Sequence, residues 1–350
     1  MENTSNIENT SNTNISEEMK KAYNHTGMFI TLLMVISYAI IFTARYFLTK
    51  SGSNLLSDTG FVLILGTIPT YISAILYFFL MKRPPAKPAS HVSLSKKQLV
   101  ILYFICEACL TIGNLVGVVL GLIINLIFKI QSANTTMQLL EKTNLLVLFI
   151  IAILVGPIFE ELIFRKFLID KVGGYVPGAA ILMSGLLFGL FHQNLYQFFY
   201  ATALGCIFAF LYISTGKNII NTLFHIAINF IHSFIPIVLM SHIDLNALMN
   251  MGDTSQLLSE ATTDPNAVME TLSTIYTPWF ILFMIYSFIV FIVAIVGVIM
   301  FVVHFKLIKS LVPKGFTDTK TAMKQILTRP FIIICIVFYL ALTVISMVIS

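Results

Sequence analysis

The sequence predicts an all-α fold, a polytopic transmembrane helical bundle. Of the 350 residues, 57% are hydrophobic and only 11% are charged, whereas an ordinary soluble domain carries about 25% charged residues. The mean hydropathy of +0.91 agrees with this reading. Separate apolar stretches recur along the chain, and most approach the roughly 20 residues that a helix needs to cross a bilayer. We therefore expect a multi-pass protein of the cell membrane, with the lipid bilayer as its surroundings and no nucleic-acid partner.

The apolar stretches predict about nine spans with a cytoplasmic amino terminus, and eight spans is the alternative because the fifth stretch is short. Their approximate bounds are 28–48, 60–81, 98–128, 144–169, 178–192, 195–214, 218–240, 278–304 and 330–349. Residues 1–27 are rich in Asn, Thr, Ser and Glu, with little to bury, and predict a disordered polar tail. The predicted units after this tail are an accessory hairpin with a Pro-rich connector (28–97), a core (98–240), an external acidic loop (241–277) and the last spans (278–350).

The basic residues predict the orientation of these spans. With the amino terminus in the cytoplasm, all but four of the 21 Lys and Arg residues fall on the inner side of the membrane. The four exceptions are Arg45, Lys50, Lys129 and Lys142. The loop 241–277 contains acidic residues but neither Lys nor Arg. Because positive residues are retained on the cytoplasmic side, this distribution supports the nine-span topology independently of hydropathy.

The stretch GPIFEELIFR (156–165) places three charges within six residues of an apolar span. A charge near the bilayer centre costs roughly 2.5–3.5 kcal/mol, so each needs a partner or a function. Glu161 and Arg165 are four residues apart and share a helix face, which predicts an ion pair. Glu160 is turned about 100° away and has no local cation. A carboxyl group in such a poorly solvated place tends to hold its proton and can act as a base.

The dipeptide Gly156-Pro157 predicts a break in this span. Proline suits the first turn of a restarted helix, which would place Glu160 in that turn. A broken helix is tolerated in a membrane only where its freed backbone groups face protein or a water-filled cavity. We therefore expect Glu160 to face a cavity that contains water.

Two further pairs have helical i,i+4 spacing, Phe188 with His192 and His225 with Asn229. At about 1.5 Å of rise per residue, both histidines and Asn229 fall at a depth similar to that of Glu160. We therefore expect three helices to bring these four polar groups together, while Phe188 is interpreted as a packing residue. Isolated polar residues in other spans, Glu107 and His232, are interpreted as interhelical contacts. The pair Cys106 and Cys109 is interpreted as packed apolar residues rather than a metal site.

In this order, each on its own span, the patterns EExxxR, FxxxH and HxxxN resemble the three motifs of the CPBP family of intramembrane proteases. That family includes the type II CAAX prenyl endopeptidases and the bacterial Abi and bacteriocin-immunity-type proteins. The resemblance covers roughly residues 100–240, with Lys166 where Gly often follows the motif arginine. It implies hydrolysis, inside the membrane, of a peptide bond in a membrane-associated peptide or lipoprotein, with or without a CAAX-type lipid.

The resemblance also implies roles for individual residues. Glu160 would act as general base on a water held by His192, and His225 and Asn229 would donate hydrogen bonds to the oxyanion. Supporting roles would fall to Glu161, Arg165 and Phe188.

The resemblance leaves the cofactor open. Glu160, His192 and His225 would be the ligands of zinc or another divalent metal if one binds, and catalysis without a metal is the alternative. The sequence contains no HExxH motif, so a zincin-like helix is excluded.

Two other function classes remain open. A catalytically silent immunity or scaffold protein would use the same cavity only to bind a peptide. A secondary transporter would also use a broken helix and buried ionisable groups near the membrane centre. However, the sequence shows no second Gly/Pro-broken span in a matching position and no convincing inverted repeat.

Overall fold

A computed structural model describes residues 2–80, 93–129, 134–243, 277–307 and 319–349. Within these ranges the regular structure is helical and no strand occurs, which confirms the predicted all-α class. The Pro-rich connector 83–89 and most of the acidic loop 241–277 lie outside the described residues. The proposed roles of these two segments, and the division into domains, therefore stay predictions.

The helices of the described ranges are numbered here in chain order. They are α1 (Glu2–Lys50), α2 (Thr59–Leu80), α3 (Lys96–Phe128), α4 (Thr135–Glu141), α5 (Leu145–Val172), α6 (Pro177–Phe191), α7 (Leu195–Thr215), α8 (Asn218–Met240), α9 (Pro278–Val303), α10 (Thr319–Ile326) and α11 (Pro330–Ile349).

By length and composition, eight helices of the described ranges could cross a membrane. They are α1, α2, α3, α5, α7, α8, α9 and α11. The fifth predicted span corresponds to α6, which has 15 residues and therefore a length of about 22 Å, less than the roughly 30 Å of the hydrocarbon core. Most of α6 is buried by protein, including Ser184 and Phe188. The chain is thus a polytopic membrane protein, and its described residues contain eight helices long enough to span together with one short buried helix.

The amino-terminal segment differs from its prediction. Helix α1 begins at Glu2, and Met19 and Tyr23 are buried in the main hydrophobic core. Asn24 accepts a hydrogen bond from the first turn of α11, through the backbone N–H of Phe331. The expected disorder is therefore wrong for residues 17–27. The prediction relied on their polar composition. It overlooked a few apolar residues at helical spacing, which are enough to bury one face of the helix.

Helix α5 is continuous through Gly156-Pro157, so the expected break is wrong. Gly156 has helical angles, φ −50° and ψ −65°, and its N–H donates to the carbonyl five residues earlier. The segments before and after this point, Phe149–Val155 and Leu162–Phe167, are π-helical. The wider π turns accommodate the proline, which has no N–H to donate, without interrupting the helix.

The predicted accessory hairpin packs directly on the rest of the bundle. Helix α1 lies against α2, α11 and the last turns of α5, while α2 contacts the first π-helical segment of α5. Elsewhere in the bundle, α3 packs closely on α7, and glycines allow the close approach. A Cβ added at Gly117 would lie 2.8 Å from the backbone oxygen of Tyr196. Helix α5 is therefore enclosed between the amino-terminal hairpin and α8.

Candidate active site

Glu161 and Arg165 form the buried ion pair that their spacing predicts. Arg165 Nε lies 2.9 Å from Glu161 Oε2, and Nη2 donates to Oε1 at 3.2 Å. The remaining arginine nitrogen, Nη1, donates to Ser184 Oγ at 2.9 Å. The guanidinium also lies over the ring of Phe188, 4.9 Å from its centre. Arg165 therefore neutralises Glu161 and joins α5 to α6.

His225 connects this ion pair to Glu160. Its Nδ1 lies 3.1 Å from Glu161 Oε1, and its Nε2 lies 3.7 Å from Glu160 Oε2. An ionised carboxylate can only accept hydrogen bonds, so the closer contact favours a proton on Nδ1. Glu160, in contrast, has no hydrogen-bonded cation among the described residues, as expected from its position on another face of the helix.

A cavity of about 610 Å³ brings the four predicted catalytic residues together. Glu160, His192, His225 and Asn229 all line it. They come from α5, from the end of α6 and from α8, which are the three elements predicted to meet. The volume lies within the roughly 300–1,000 Å³ of typical ligand pockets.

Asn229 is held in place by the π-helical part of α5. Its Nδ2 donates to the backbone oxygen of Ala152 at 3.2 Å. A carboxamide nitrogen carries two hydrogens, so one remains for a ligand in the cavity. The side chain is therefore oriented before any ligand binds.

His192 follows the last residue of α6 and precedes an unusual turn. The next residue, Gln193, has φ +51°, a left-handed conformation that is uncommon for a residue other than glycine. Tyr38 of α1 donates from its hydroxyl to Gln193 Oε1, and Ser346 Oγ of α11 donates to the Gln193 backbone oxygen at 2.9 Å. Two helices outside the predicted core thus hold the turn that carries His192.

Phe188 packs as interpreted. Its side chain is buried, and its ring meets the rings of His192 and His225 edge to face at 5.1 and 5.7 Å between centres. Phe188 therefore contacts both imidazole rings and also packs against the Arg165 guanidinium of the ion pair.

Glu107 of α3 and His232 of α8 are paired with each other, with Glu107 Oε2 2.5 Å from His232 Nε2. Both were interpreted as interhelical contacts, but their pairing was not predicted because they lie 125 residues apart, on different spans. His232 also lines the large cavity.

The interpretation of Cys106 is supported, since it is a buried free thiol.

Sequence reasoning missed Tyr71 of α2. Its ring stacks on that of Phe159 with 4.6 Å between centres, and it lines the cavity beside Glu160. A signal was present, because Thr67, Thr70 and Tyr71 form a polar stripe at i, i+3 and i+4 in an apolar span.

The predicted metal ligands were Glu160, His192 and His225. Among the described residues, no three His, Cys, Asp or Glu side chains are grouped so that they could hold a metal ion. This arrangement does not fit a three-ligand zinc site, so no step below passes through a metal, and metal dependence stays a prediction for assay.

Comparison with known proteins places similarity on the same helices. Residues 142–231 match the family model described as type II CAAX prenyl endopeptidase Rce1-like. The chain is also 34% identical over 103 residues to the Bacillus subtilis (strain 168) protein named "Putative membrane peptidase YdiL". That match covers 28% of this chain and 41% of the relative, so the chain spans less than half of the relative's length. No solved structure matches the chain. The three motifs lie inside the matched segment, and the resemblance that they indicate is confirmed.

Proposed function

We propose that this chain, whose residues 142–231 match the type II CAAX prenyl endopeptidase Rce1-like family model, is an intramembrane endopeptidase. The observation that carries the proposal is the cavity of about 610 Å³ lined by Glu160, His192, His225 and Asn229. General-base hydrolysis of an amide needs a proton acceptor, a group that orients water and a donor for the oxyanion. A carboxylate, imidazoles and a carboxamide around one cavity provide these three functions.

In the proposed reaction, Glu160 takes a proton from a water molecule that His192 orients. The water oxygen attacks the carbonyl carbon of the peptide, and the carbonyl oxygen becomes an oxyanion that accepts the second amide hydrogen of Asn229. Glu160 then returns its proton to the leaving nitrogen as the C–N bond breaks. The products are a carboxylic acid, which keeps the second proton of the water, and an amine, so atoms and protons balance.

His225 can assist the oxyanion only in its doubly protonated form. Its Nδ1 already faces Glu161, so a hydrogen bond to substrate must come from Nε2. The ring lies between two carboxylates, with Glu160 near Nε2 and Glu161 near Nδ1. Arg165 compensates the charge of Glu161, which is the supporting role proposed for the ion pair.

The proposed substrate is a peptide or lipoprotein attached to, or embedded in, the cell membrane. The cavity is enclosed by membrane-spanning helices, so a substrate that already lies in the bilayer reaches it most directly. The name of the matched family suggests a prenylated CAAX-type tail. An unmodified membrane peptide has the same scissile amide and is the second substrate class to test.

The test compares the membrane peptidomes of cells that produce the wild-type protein, Glu160→Gln or Glu141→Gln. Glutamine keeps the size of Glu160 but cannot accept the proton, and loss of a general base typically lowers rate by about 10²–10⁴. Glu141 is an exposed carboxylate at the end of α4 and serves as the matched control. We expect cleavage products with the wild type and Glu141→Gln, and none with Glu160→Gln at equal abundance in the membrane.

Two results would reject the proposal. Cleavage that survives in both Glu160→Gln and His192→Ala would show that these residues do not carry the reaction. A phenotype that the wild type and Glu160→Gln complement equally, without any cleavage, would instead favour the catalytically silent immunity or scaffold protein.

A further inference from the structure

A second, smaller cavity of about 150 Å³ adjoins Glu160 on the side of α1 and α2. We call it the side chamber; its polar lining consists of Ser37, Tyr38, Thr67, Thr70, Tyr71 and Gln193, together with Glu160. Thr67, Tyr71 and Glu160 line the large cavity as well. These three residues therefore form the boundary between the two spaces, and the Glu160 carboxylate is accessible from both.

The side chamber has the size and chemistry of a water site. Cavities lined only by apolar groups stay dry, whereas a cavity with several polar partners holds water. At about 30 Å³ per molecule, 150 Å³ accommodates about five waters. The hydroxyls of Thr67, Thr70 and Tyr71 supply donors and acceptors in the middle of apolar spans, where a polar side chain without such a role would be costly.

Tyr71 is placed to act on the same water as Glu160. Its ring is fixed by stacking on Phe159, the neighbour of Glu160 in α5. The Tyr71 hydroxyl and the Glu160 carboxylate both lie close to Gly156. A Cβ added there would be 3.6 Å from Tyr71 Oη and 3.9 Å from Glu160 Oε1. The hydroxyl and the carboxylate thus border one small space, which a side chain at position 156 would enter.

From this arrangement we infer that the side chamber stores and delivers the hydrolytic water, with Thr67 and Tyr71 as positioning residues. The inference rests on the proposed function, because each cleavage consumes one water. A peptide that fills the large cavity displaces water from it, so the water has to reach Glu160 from another side. The chamber is built mainly by α1 and α2, which lie outside the matched residues 142–231. It therefore gives the amino-terminal hairpin a direct role in the reaction.

The first experiment measures kcat and KM of the double variant Thr67→Val/Thr70→Val in proteoliposomes. Valine has the shape of threonine but lacks the hydroxyl, so the chamber should hold less water while the substrate cavity keeps its form. We expect kcat to fall at least tenfold, with KM within twofold of wild type. Thr67→Ser/Thr70→Ser should restore most of the rate. Ser73→Ala is the control, because Ser73 lies one turn further along α2, is buried and does not line the chamber.

The second experiment detects water in the chamber without proteolysis. A small water-soluble methanethiosulfonate reagent is applied to Thr70→Cys and Ser73→Cys, and labelling of the wild type measures the background of the native thiols. We expect Thr70→Cys to react at least tenfold faster than Ser73→Cys. Equal labelling rates, or a wild-type kcat in the double valine variant, would overturn the inference. If the peptidase proposal itself fails, Glu160→Gln will behave as wild type while Thr70→Cys still reacts, so the two failures are distinguishable.

Discussion

Replacing Arg165 by methionine should destabilise the protein far more than the same replacement of its neighbour Lys166. Both cations pair with a carboxylate four residues away on α5. Arg165 Nε lies 2.9 Å from Glu161, and Lys166 Nζ lies 2.7 Å from Asp170. Only the surroundings differ. The side chains of the first pair are both 0% exposed, whereas those of the second are 53% and 21% exposed.

The expected magnitudes follow from burial. Removing one partner of a buried ion pair leaves an uncompensated charge and costs about 3–5 kcal/mol. An exposed pair contributes about 0–1 kcal/mol. Arg165→Met also removes the donor to Ser184, a hydrogen bond worth about 1 kcal/mol. Since total stabilities are about 5–15 kcal/mol, Arg165→Met should remove about a quarter or more of the stability and Lys166→Met very little.

A double variant separates charge from packing. Arg165→Met combined with Glu161→Leu removes both buried charges, and apolar side chains of similar volume can replace such a pair without loss of stability. We expect the double variant to be more stable than Arg165→Met alone. It should nevertheless lack the proposed peptidase activity, because His225 loses the carboxylate at its Nδ1.

The assay measures the stability of the purified variants in one detergent, by thermal unfolding and by denaturant titration. Peptide cleavage is measured in parallel. The reasoning is refuted if Arg165→Met and Lys166→Met have equal stability within about 1 kcal/mol. It is also refuted if the double variant is less stable than Arg165→Met. Either result would mean that the buried charge of Glu161 does not need compensation.

Three further predictions concern other contacts. Gly117→Val should cost about 1–3 kcal/mol of stability, because its Cβ would lie 2.8 Å from the Tyr196 oxygen; Gly66→Ala, which meets nothing within 4 Å, is the control in the same unfolding assay. Asn229→Ala should lower kcat by about 10²–10³ through loss of an oxyanion donor, and an unchanged kcat in steady-state cleavage assays would exclude that role. Ser346→Ala removes a support of the turn after α6, so kcat should fall several-fold at nearly constant stability; an unaltered rate would mean that α11 does not position this turn.

Several properties could be predicted from the sequence because they depend on local spacing. The apolar stretches predicted the helical class and all eight of the long spans of the described residues. The i,i+4 spacing of Glu161 and Arg165 predicted their ion pair, since residues four apart share a helix face. The order of the three motifs likewise indicated the family model that residues 142–231 match, and four of the residues that line the large cavity.

Tertiary structure alone decided how these groups are supported. The contact of His225 with Glu161, the hold of Tyr38 on Gln193 and the pairing of Glu107 join residues far apart in the chain. No spacing rule links such residues, because helix packing determines which faces meet. The continuity of α5 through Gly156 was likewise not predictable from local spacing. The π-helical turns on both sides accommodate the proline, which would otherwise interrupt the helix.

The sequence by itself therefore determined that this protein is a helical membrane bundle, and it predicted that a carboxylate, two imidazoles and a carboxamide lie at similar depth. Periodicity and hydropathy are local properties, and they suffice for that conclusion. Only the tertiary structure decided that the amino-terminal hairpin borders Glu160 and forms the side chamber. That arrangement depends on the packing of α1 and α2 against α5, and such long-range contacts leave no periodic pattern in the chain.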